Sequence, residues 1–404
     1  MVKIVKIDLL KVFDGAGRSA LLMRVETSVR QRVEASMPAT ELMSANELAL
    51  ISEKLYLTLA GQEIEESLWP LIQSFINEEK NQRYLVKPVA LLLEIAVLKI
   101  LALVSGREVF EQIVESFGLK QSLFLMPTPI ISVFGGAWYG DSNLDFRDYL
   151  LIPLTKNRTS FEKKLSDASL VYHKLATVLK SAGYDADIGS LGAYAPDLVS
   201  TMEALDLLIA SINLAGFSPA KDFGLGIDVG AASLYNIEEH NYLFRLSHNY
   251  FSSNNLSSLY REWLIKYPIF YLQDVLAPED KVAWQELTQE LREELVLAGA
   301  ELFADNKNEM RRAVAAGLAN TVVLDYQKCS SLTDLFEMVA LAKKHHYQVV
   351  VAASERETNE DFVADLALAS GADFVKFGAL ARGERSAKYS RLLVIAQLLE
   401  LSSG

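Results

Sequence analysis

The sequence predicts an α/β protein in two parts: a small α+β lobe followed by a modified (β/α)8 barrel of the TIM type. Three observations carry that prediction. Residues 2 to about 36 form short β-rich runs separated by turn residues, and residues from Ser44 to about Ser116 shift to helical periodicity. From about Ile130, short apolar runs alternate with amphipathic stretches. Strands followed by helices give the α+β order. Repeated strand–helix units give a parallel sheet, and this many of them favour a closed barrel over an open sheet.

The opening runs are Ile4–Leu9, Ala20–Val25 and Arg32–Ala35, with the Gly-rich turn Asp14-Gly15-Ala16-Gly17 between the first two. That pattern predicts a three-stranded meander. Ser44 with Glu47 makes a capping box, so a helix is expected from there through Leu59. The most apolar run, Val89–Val104, is interrupted by Glu94 and Lys99. It falls short of the roughly 20 residues that cross a bilayer, so it reads as a core helix rather than a membrane span. Met1–Lys6 has basic residues but no apolar core or cleavage site, which is not the pattern of a secretory signal. The lobe is expected to occupy residues 1–125 and the barrel residues 126–404.

In the second part the expected strands are Leu150–Pro153, Leu225–Asp228, Ile269–Leu272, Val296–Ala298, Val322–Leu324, Val349–Ala352 and Phe374–Lys376. Amphipathic stretches separate them at Phe161–Leu179, Thr201–Leu214, Leu256–Tyr267, Val282–Leu295, Leu332–Lys344 and Asp361–Ala369, and Ala387–Leu401 closes the chain. Gly224-Leu225-Gly226-Ile227-Asp228-Val229-Gly230 superficially resembles a dinucleotide turn. Its glycines lie within a strand and open no helix, which argues against a Rossmann site.

Of 404 residues, 50% are hydrophobic and 23% charged, ordinary globular values that supply a large core. Lys and Arg total 39 against 52 Asp and Glu, a net charge of −13 that argues against a nucleic-acid groove. The single cysteine, Cys329, excludes an internal disulfide and fits a reducing cytoplasm. Among the five histidines, His345 and His346 are adjacent at an expected helix end, His173 falls on an amphipathic helix, and His240 and His248 fall in a polar loop region. None has the helical spacing of a metal pair. The Tyr-rich stretch Tyr242–Tyr271 is expected to pack in the core or lie in loops, with an interaction surface as the alternative.

A specific likeness begins at Pro127-Thr128-Pro129-Ile130-Ile131-Ser132-Val133-Phe134-Gly135-Gly136, followed by Asn143–Tyr149. It continues in Ala195-Pro196, Leu225–Val229, Tyr267-Pro268-Ile269 with Gln273-Asp274, Leu302-Phe303 and Glu357-Thr358. It ends in Lys376-Phe377-Gly378 and Arg382-Gly383-Glu384-Arg385-Ser386-Ala387-Lys388-Tyr389. In this order the segments resemble enolase, the glycolytic lyase that dehydrates 2-phosphoglycerate to phosphoenolpyruvate.

The resemblance implies an enolase-like lobe, a barrel with a ββαα opening, and a cytoplasmic dimer. It also implies a lysine base, a glutamate acid and magnesium held by three carboxylates. Here the base position is Asp325 and the acid position is Leu191. Of the metal positions only Asp228 persists; Gln273 and Ala300 stand at the others. The phosphate-gripping His-Arg-Ser becomes Ala353-Ser354-Glu355, the loop histidine becomes Trp138, and Gln-Glu becomes Arg147-Asp148. The small-lobe loop that closes over substrate in the family is replaced by Ala39-Thr40-Glu41. Besides Asp228, Lys376 survives, at the position that meets the substrate carboxylate.

The expectation is therefore a pseudoenzyme without a cofactor, working as a homodimer or as a heteromer with a true enolase, and binding neither nucleic acid nor membrane. Magnesium is expected only if phosphopyruvate hydratase activity remains. The alternative is an enzyme or metabolite-binding protein with a rebuilt barrel-mouth site built from Asp325, Arg147 and Lys376. Asp148, Asp274, Glu301, Lys328, Glu355 and Arg356 are expected beside them, with mutual charge neutralisation as the plain account. Lys376, and Arg147 with it, is expected to pair with Asp325, Asp228 or Asp148.

Overall fold

A computed structural model describes residues 1–39, 43–82, 87–120, 123–154 and 160–402. The replacement loop at Thr40-Glu41 therefore lies outside the described residues. The chain opens with the antiparallel meander β1 (Ile4–Phe13), β2 (Ser19–Thr27) and β3 (Arg32–Pro38). Alternation places Met23 and Val25 of β2 inside, whereas Arg24 between them points out and pairs with Glu34 at 2.9 Å.

Helices α1 (Ala45–Leu59), α2 (Leu68–Gln82), α3 (Lys87–Ser105) and α4 (Val109–Ser116) cover the inner face. The capping box at α1 forms: Ser44 Oγ accepts from the Glu47 N–H at 3.2 Å, and Glu47 accepts from the Ser44 N–H at 2.6 Å. α3 is long and apolar enough to span a bilayer, but 72% of its most apolar window is buried inside the molecule. Two charges in its interior, Glu94 and Lys99, fasten the lobe to the barrel. Glu94 accepts from Gln73 at 2.9 Å and from the Leu332 N–H at 3.1 Å, and Lys99 pairs with Glu360. Charges inside an apolar helix are tolerated when they are paired or hydrogen-bonded in this way.

The barrel begins with β4 (Thr128–Pro129), β5 (Ile131–Gly135), β6 (Asp148–Pro153), α5 (Phe161–Ser181) and α6 (Thr201–Leu214), which is the ββαα opening. It continues as β7 (Phe223–Asp228), then a small sheet of β8 (Tyr235–Asn236), β9 (Asn241–Phe244) and β10 (Asn249–Phe251), then α7 (Ser253–Lys266), β11 (Ile269–Gln273) and α8 (Lys281–Leu291). The last units are β12 (Val296–Gly299), α9 (Lys307–Ala315), β13 (Thr321–Asp325), α10 (Leu332–Lys344), β14 (Gln348–Ala352), α11 (Phe362–Ser370), β15 (Phe374–Lys376) and α12 (Gly383–Ser402).

Strand order in the main sheet is β4-β15-β14-β13-β12-β11-β7-β6-β5. Because β4 and β5 flank Ile130 in one continuous run, the pairings β4–β15 and β5–β6 close the ring. β6 runs antiparallel to both neighbours, and the remaining pairs are parallel. Ile130, Leu150, Ile152, Tyr271, Val323 and Val350 belong to a compact cluster inside the barrel, separate from the larger core between sheet and helices. Gly226 serves this packing: a Cβ there would lie 3.1 Å from Leu150 Cβ and 3.2 Å from Tyr271 Cβ.

Besides shifts of a few residues at other helix ends, such as α12 starting at Gly383 rather than Ala387, three details differ from the sequence-based expectation. α9 was not foreseen, because only Met310, Ala313 and Val314 of its KNEMRRAVA sequence are buried and a stripe that short is easily overlooked. α8 ends at Leu291 rather than Leu295. The Tyr-rich segment contributes the small sheet, where Tyr242 is fully buried and hydrogen-bonds to Asp280 at 2.9 Å, while Tyr250 is exposed. All five histidines are exposed.

Candidate functional site at the barrel mouth

Parallel strands bring their C-terminal residues to one rim. Here β7 ends at Asp228, β11 at Gln273, β13 at Asp325, β14 at Ala352 and β15 at Lys376. Cross-strand register sets Asp148 beside Asp228, Asp228 beside Gln273, Asp325 beside Ala352, and Ala352 beside Lys376. A cavity of about 580 Å³ opens over this rim. Leu191, Ala300 and Ala353 line it with apolar atoms, and Val323 of the interior cluster forms part of its floor.

Lys376 dominates one wall. Its ammonium lies 2.7 Å from Asp228 Oδ2, 3.2 Å from Gln273 Oε1 and 3.8 Å from Asp148 Oδ2. Tyr271 O–H also donates to Gln273 Oε1, at 2.7 Å, and Ser132 O–H donates to Asp148 Oδ2 at 2.6 Å. Asp148 is fully buried. Burial pushes its carboxyl up to about 7, with the charge of Asp228 adding to the shift; Lys376 and the Ser132 hydrogen bond oppose it.

On a second wall, Arg147 pairs with Glu301 and lies 3.9 Å from Asp274 Oδ2, while its guanidinium covers the Trp138 ring at 5.3 Å. Arg147 therefore does not pair with Asp325, Asp228 or Asp148: the loop before β6 carries it toward β11 and β12. Asp274 sits behind the lining, where it accepts the N–H groups of Ala300 at 2.8 Å and Glu301 at 3.1 Å. Burial raises its carboxyl to about 7, reinforced by Asp228 and Glu301 and opposed by Arg147.

The third wall carries Asp325, which accepts the Ser354 hydroxyl and the Gln327 N–H at 3.0 Å; Lys328 lies 3.9 Å away. Burial raises this carboxyl as well. Lys376 pairs with Asp228 and Asp148 but not with Asp325. Glu355 lines the cavity, but Arg356 does not. Its side chain turns into the lobe, bonding to Asp14 at 2.9 Å, Ala39 O at 2.9 Å and Ser19 O at 2.8 Å. The β1–β2 turn, with its buried carboxylate, provides a better partner than the mouth does.

Asp305, Tyr139 and Ser132 also line the mouth and were not singled out from sequence as site residues; Ser354, from the segment standing for His-Arg-Ser, lines it as well. Asp305 accepts the Asp325 N–H at 3.1 Å, and burial, reinforced by the charge of Asp325, pushes its carboxyl up to about 6. The available signal was Asn306, which caps α9 by accepting from Asn308 N and Glu309 N. Recognising that cap would have placed Asp305 in a strand-to-helix loop on the mouth side.

Residues 123–403 match the family described as "Enolase, C-terminal TIM barrel domain". The chain belongs to the enolase family. Enolases of Ehrlichia ruminantium strains Gardel and Welgevonden are each 33% identical to it over 279 residues, 69% of this chain and 65% of theirs. The enolase of Ehrlichia canis strain Jake is 32% identical over 279 residues. The match thus spans just under two thirds of the length of these curated relatives.

At the three positions where the resemblance would place magnesium ligands, the residues present do not fit that ion, which favours hard, charged oxygen ligands. Asp228 offers a carboxylate and Gln273 a neutral oxygen, whereas Ala300 offers no side-chain donor. The Lys376 ammonium already bonds to both Asp228 and Gln273, placing a positive charge between the surviving donors. No group of three or more His, Cys, Asp or Glu side chains suited to a metal occurs among the described residues.

Proposed function

We propose that this chain is a cytoplasmic enolase-family protein that does not dehydrate 2-phosphoglycerate and acts by binding, with residues 1–125 as its lobe and 126–404 as its barrel. The observation that carries this reading is the Lys376–Asp228–Gln273 contact, an internal cation joining the donors a metal would need. Asp325, bonded to Ser354, is an acceptor at the base position, and Leu191 has no proton to donate at the acid position. A general base alone contributes about 10²–10⁴ in rate, and base, acid and metal act as a unit.

The test is a progress curve of phosphoenolpyruvate formation from 2-phosphoglycerate with magnesium, using protein freed of host enolase. No formation above a protein-free control is expected; a sustained rate would overturn the reading. Asp325→Lys alone is expected to leave the curve flat, because a lysine base needs a metal-bound carboxylate to acidify the carbon beside it.

A regulatory role as a homodimer, or alongside a true enolase, belongs to the same proposal. Its support is the resemblance of the N-terminal turn and of Arg382–Tyr389 to segments near the family's twofold interface, a self-complementary kind of contact. Within one chain these segments also fasten each other, Arg382 donating to Gly15 O at 2.7 Å. Sedimentation that shows only monomer at micromolar concentration, with no true enolase recovered from native lysate, would remove this part. A metabolite-binding role is the second reading, favoured by the cavity that persists over the rebuilt rim.

A further inference from the structure

At the mouth, each lining cation already has a carboxylate partner. Lys376 has Asp228 at 2.7 Å, Arg147 has Glu301, and Lys328 has Asp325 at 3.9 Å. An arriving phosphate or carboxylate would have to break one of these pairs. Carboxylate, by contrast, is left over. Glu355 lines the cavity with no side-chain hydrogen bond or ion pair among the described residues, and Asp305 accepts the Asp325 N–H and feels the charges of Lys328 and Lys87 without forming an ion pair with either.

A second, independent feature points to a missing donor. Asp228 is 1% exposed and lines the cavity, yet its Oδ1 has no hydrogen-bond partner among the described residues. A buried carboxylate oxygen with no donor is costly, and a ligand N–H would relieve it. Trp138, covered by the Arg147 guanidinium yet still 60% exposed at the rim, presents its remaining aromatic surface. Aromatic faces attract organic cations and pack against their carbon chains.

We propose that the barrel mouth binds a small organic cation with more than one N–H donor, an alkyl diamine or a guanidino-alkylamine. One cationic group lies beside Glu355 and Asp305, the other reaches Asp228 Oδ1, and the carbon chain rests near Trp138. The cavity, about 580 Å³, falls within the roughly 300–1,000 Å³ typical of small-molecule sites. Burial first, and the charge of Asp325 second, push the Asp305 carboxyl up, and a ligand's positive charge beside it would offset both. The inference rests on the reading that this mouth serves binding rather than dehydration.

The experiment is calorimetric titration of the full chain at physiological salt with 1,4-diaminobutane and 4-guanidinobutylamine; n-butylamine, inorganic phosphate and magnesium chloride serve as comparison ligands. Saturable one-site binding of at least one dication is expected, about tenfold or more tighter than n-butylamine, since the monoamine forgoes one charged hydrogen bond. Glu355→Gln should weaken that binding about tenfold, whereas Glu293→Gln, at a side chain 87% exposed and not lining the cavity, should leave it unchanged. Trp138→Leu should weaken it about threefold and abolish any ligand-induced change in tryptophan fluorescence.

Equal weakening by Glu355→Gln and Glu293→Gln would reduce the binding to diffuse attraction by the −13 net charge and overturn the proposal. Tighter binding of phosphate, displacement of the dication by magnesium, or absence of saturable heat would also overturn it. If phosphoenolpyruvate is still not formed in these cases, the non-dehydrating reading stands while the cation site falls. Phosphoenolpyruvate formation would remove the reading beneath both.

Discussion

The seam between lobe and barrel and the mouth of the barrel both bury charge, but they use it differently. At the seam, the Lys388 ammonium lies 3.1 Å from Glu357 Oε2, an ion pair without hydrogen-bond geometry, and both side chains are fully buried. Lys388 also donates to Thr358 O at 3.1 Å and Glu384 O at 2.7 Å, and the Gly15 N–H donates to Glu357 O at 2.8 Å. Every partner there belongs to the chain itself. The seam includes Glu357-Thr358 and the segment from Arg382 to Tyr389, two of the stretches that carry the likeness to enolase. At the mouth, lined by Asp325, Leu191, Gln273 and Ala300, the resemblance assigns these four to positions that would face substrate and metal and reads them as replacements. Seam residues are bound to backbone that the fold cannot spare. Mouth residues can change provided their charges are rebalanced, which Lys376 and Arg147 accomplish.

The comparison breaks most directly at Lys388. Lys388→Met strands Glu357 in a fully buried site, and urea denaturation should show a loss of about 3–5 kcal/mol. A loss under about 1 kcal/mol would put the seam on the same footing as a solvent-screened surface pair.

Lys376→Met should cost less, about 1.5–3 kcal/mol, the scale of a charged hydrogen bond. Its side chain is 10% exposed, and Asp148, already pushed up to about 7, can take up a proton when the ammonium is gone. The loss should therefore be smaller at pH 6 than at pH 8. A pH-independent loss equal to that of Lys388→Met would erase the distinction between the two clusters.

The buried acids of the mouth also give the wild-type chain a pH dependence of definite sign. Asp148 titrates near 3.8 when unfolded and near 7 in the fold, so between these values the folded chain holds a proton that the unfolded chain has released. Stability from this group is fully present below about pH 4 and is lost as pH rises through about 7. Asp274, raised to about 7, and Asp305, raised to about 6, act in the same direction. Urea titrations at pH 5 and pH 8 should find the chain less stable at pH 8, and Asp148→Asn should reduce the difference. Greater stability at pH 8 would mean that these carboxyls are not held protonated.

The smallest effect is expected at the rim. Trp138→Leu, at a side chain 60% exposed, should change unfolding free energy by no more than about 0.5 kcal/mol. A larger loss would make Trp138 a structural support of Arg147 rather than an accessible surface.

The sequence by itself determined the meander, the capped α1, the buried α3 and the strand–helix rhythm of the barrel, because side-chain periodicity and capping are local properties. It also carried the positions of Asp228, Gln273, Asp325 and Lys376, since each ends an apolar strand and a parallel barrel gathers such ends at one rim. α9 and Asp305 escaped it, their apolar stripe being too short to read.

Only the tertiary structure decided which charge meets which. Arg147 reaches Glu301 across 154 residues and Lys376 reaches Asp228 across 148, while Arg356, one residue beyond Glu355, turns from the mouth into the lobe. Ion pairing falls off within a few ångströms and depends on desolvation, so it follows distances fixed by barrel closure and lobe docking, which neighbouring residues in the chain do not encode.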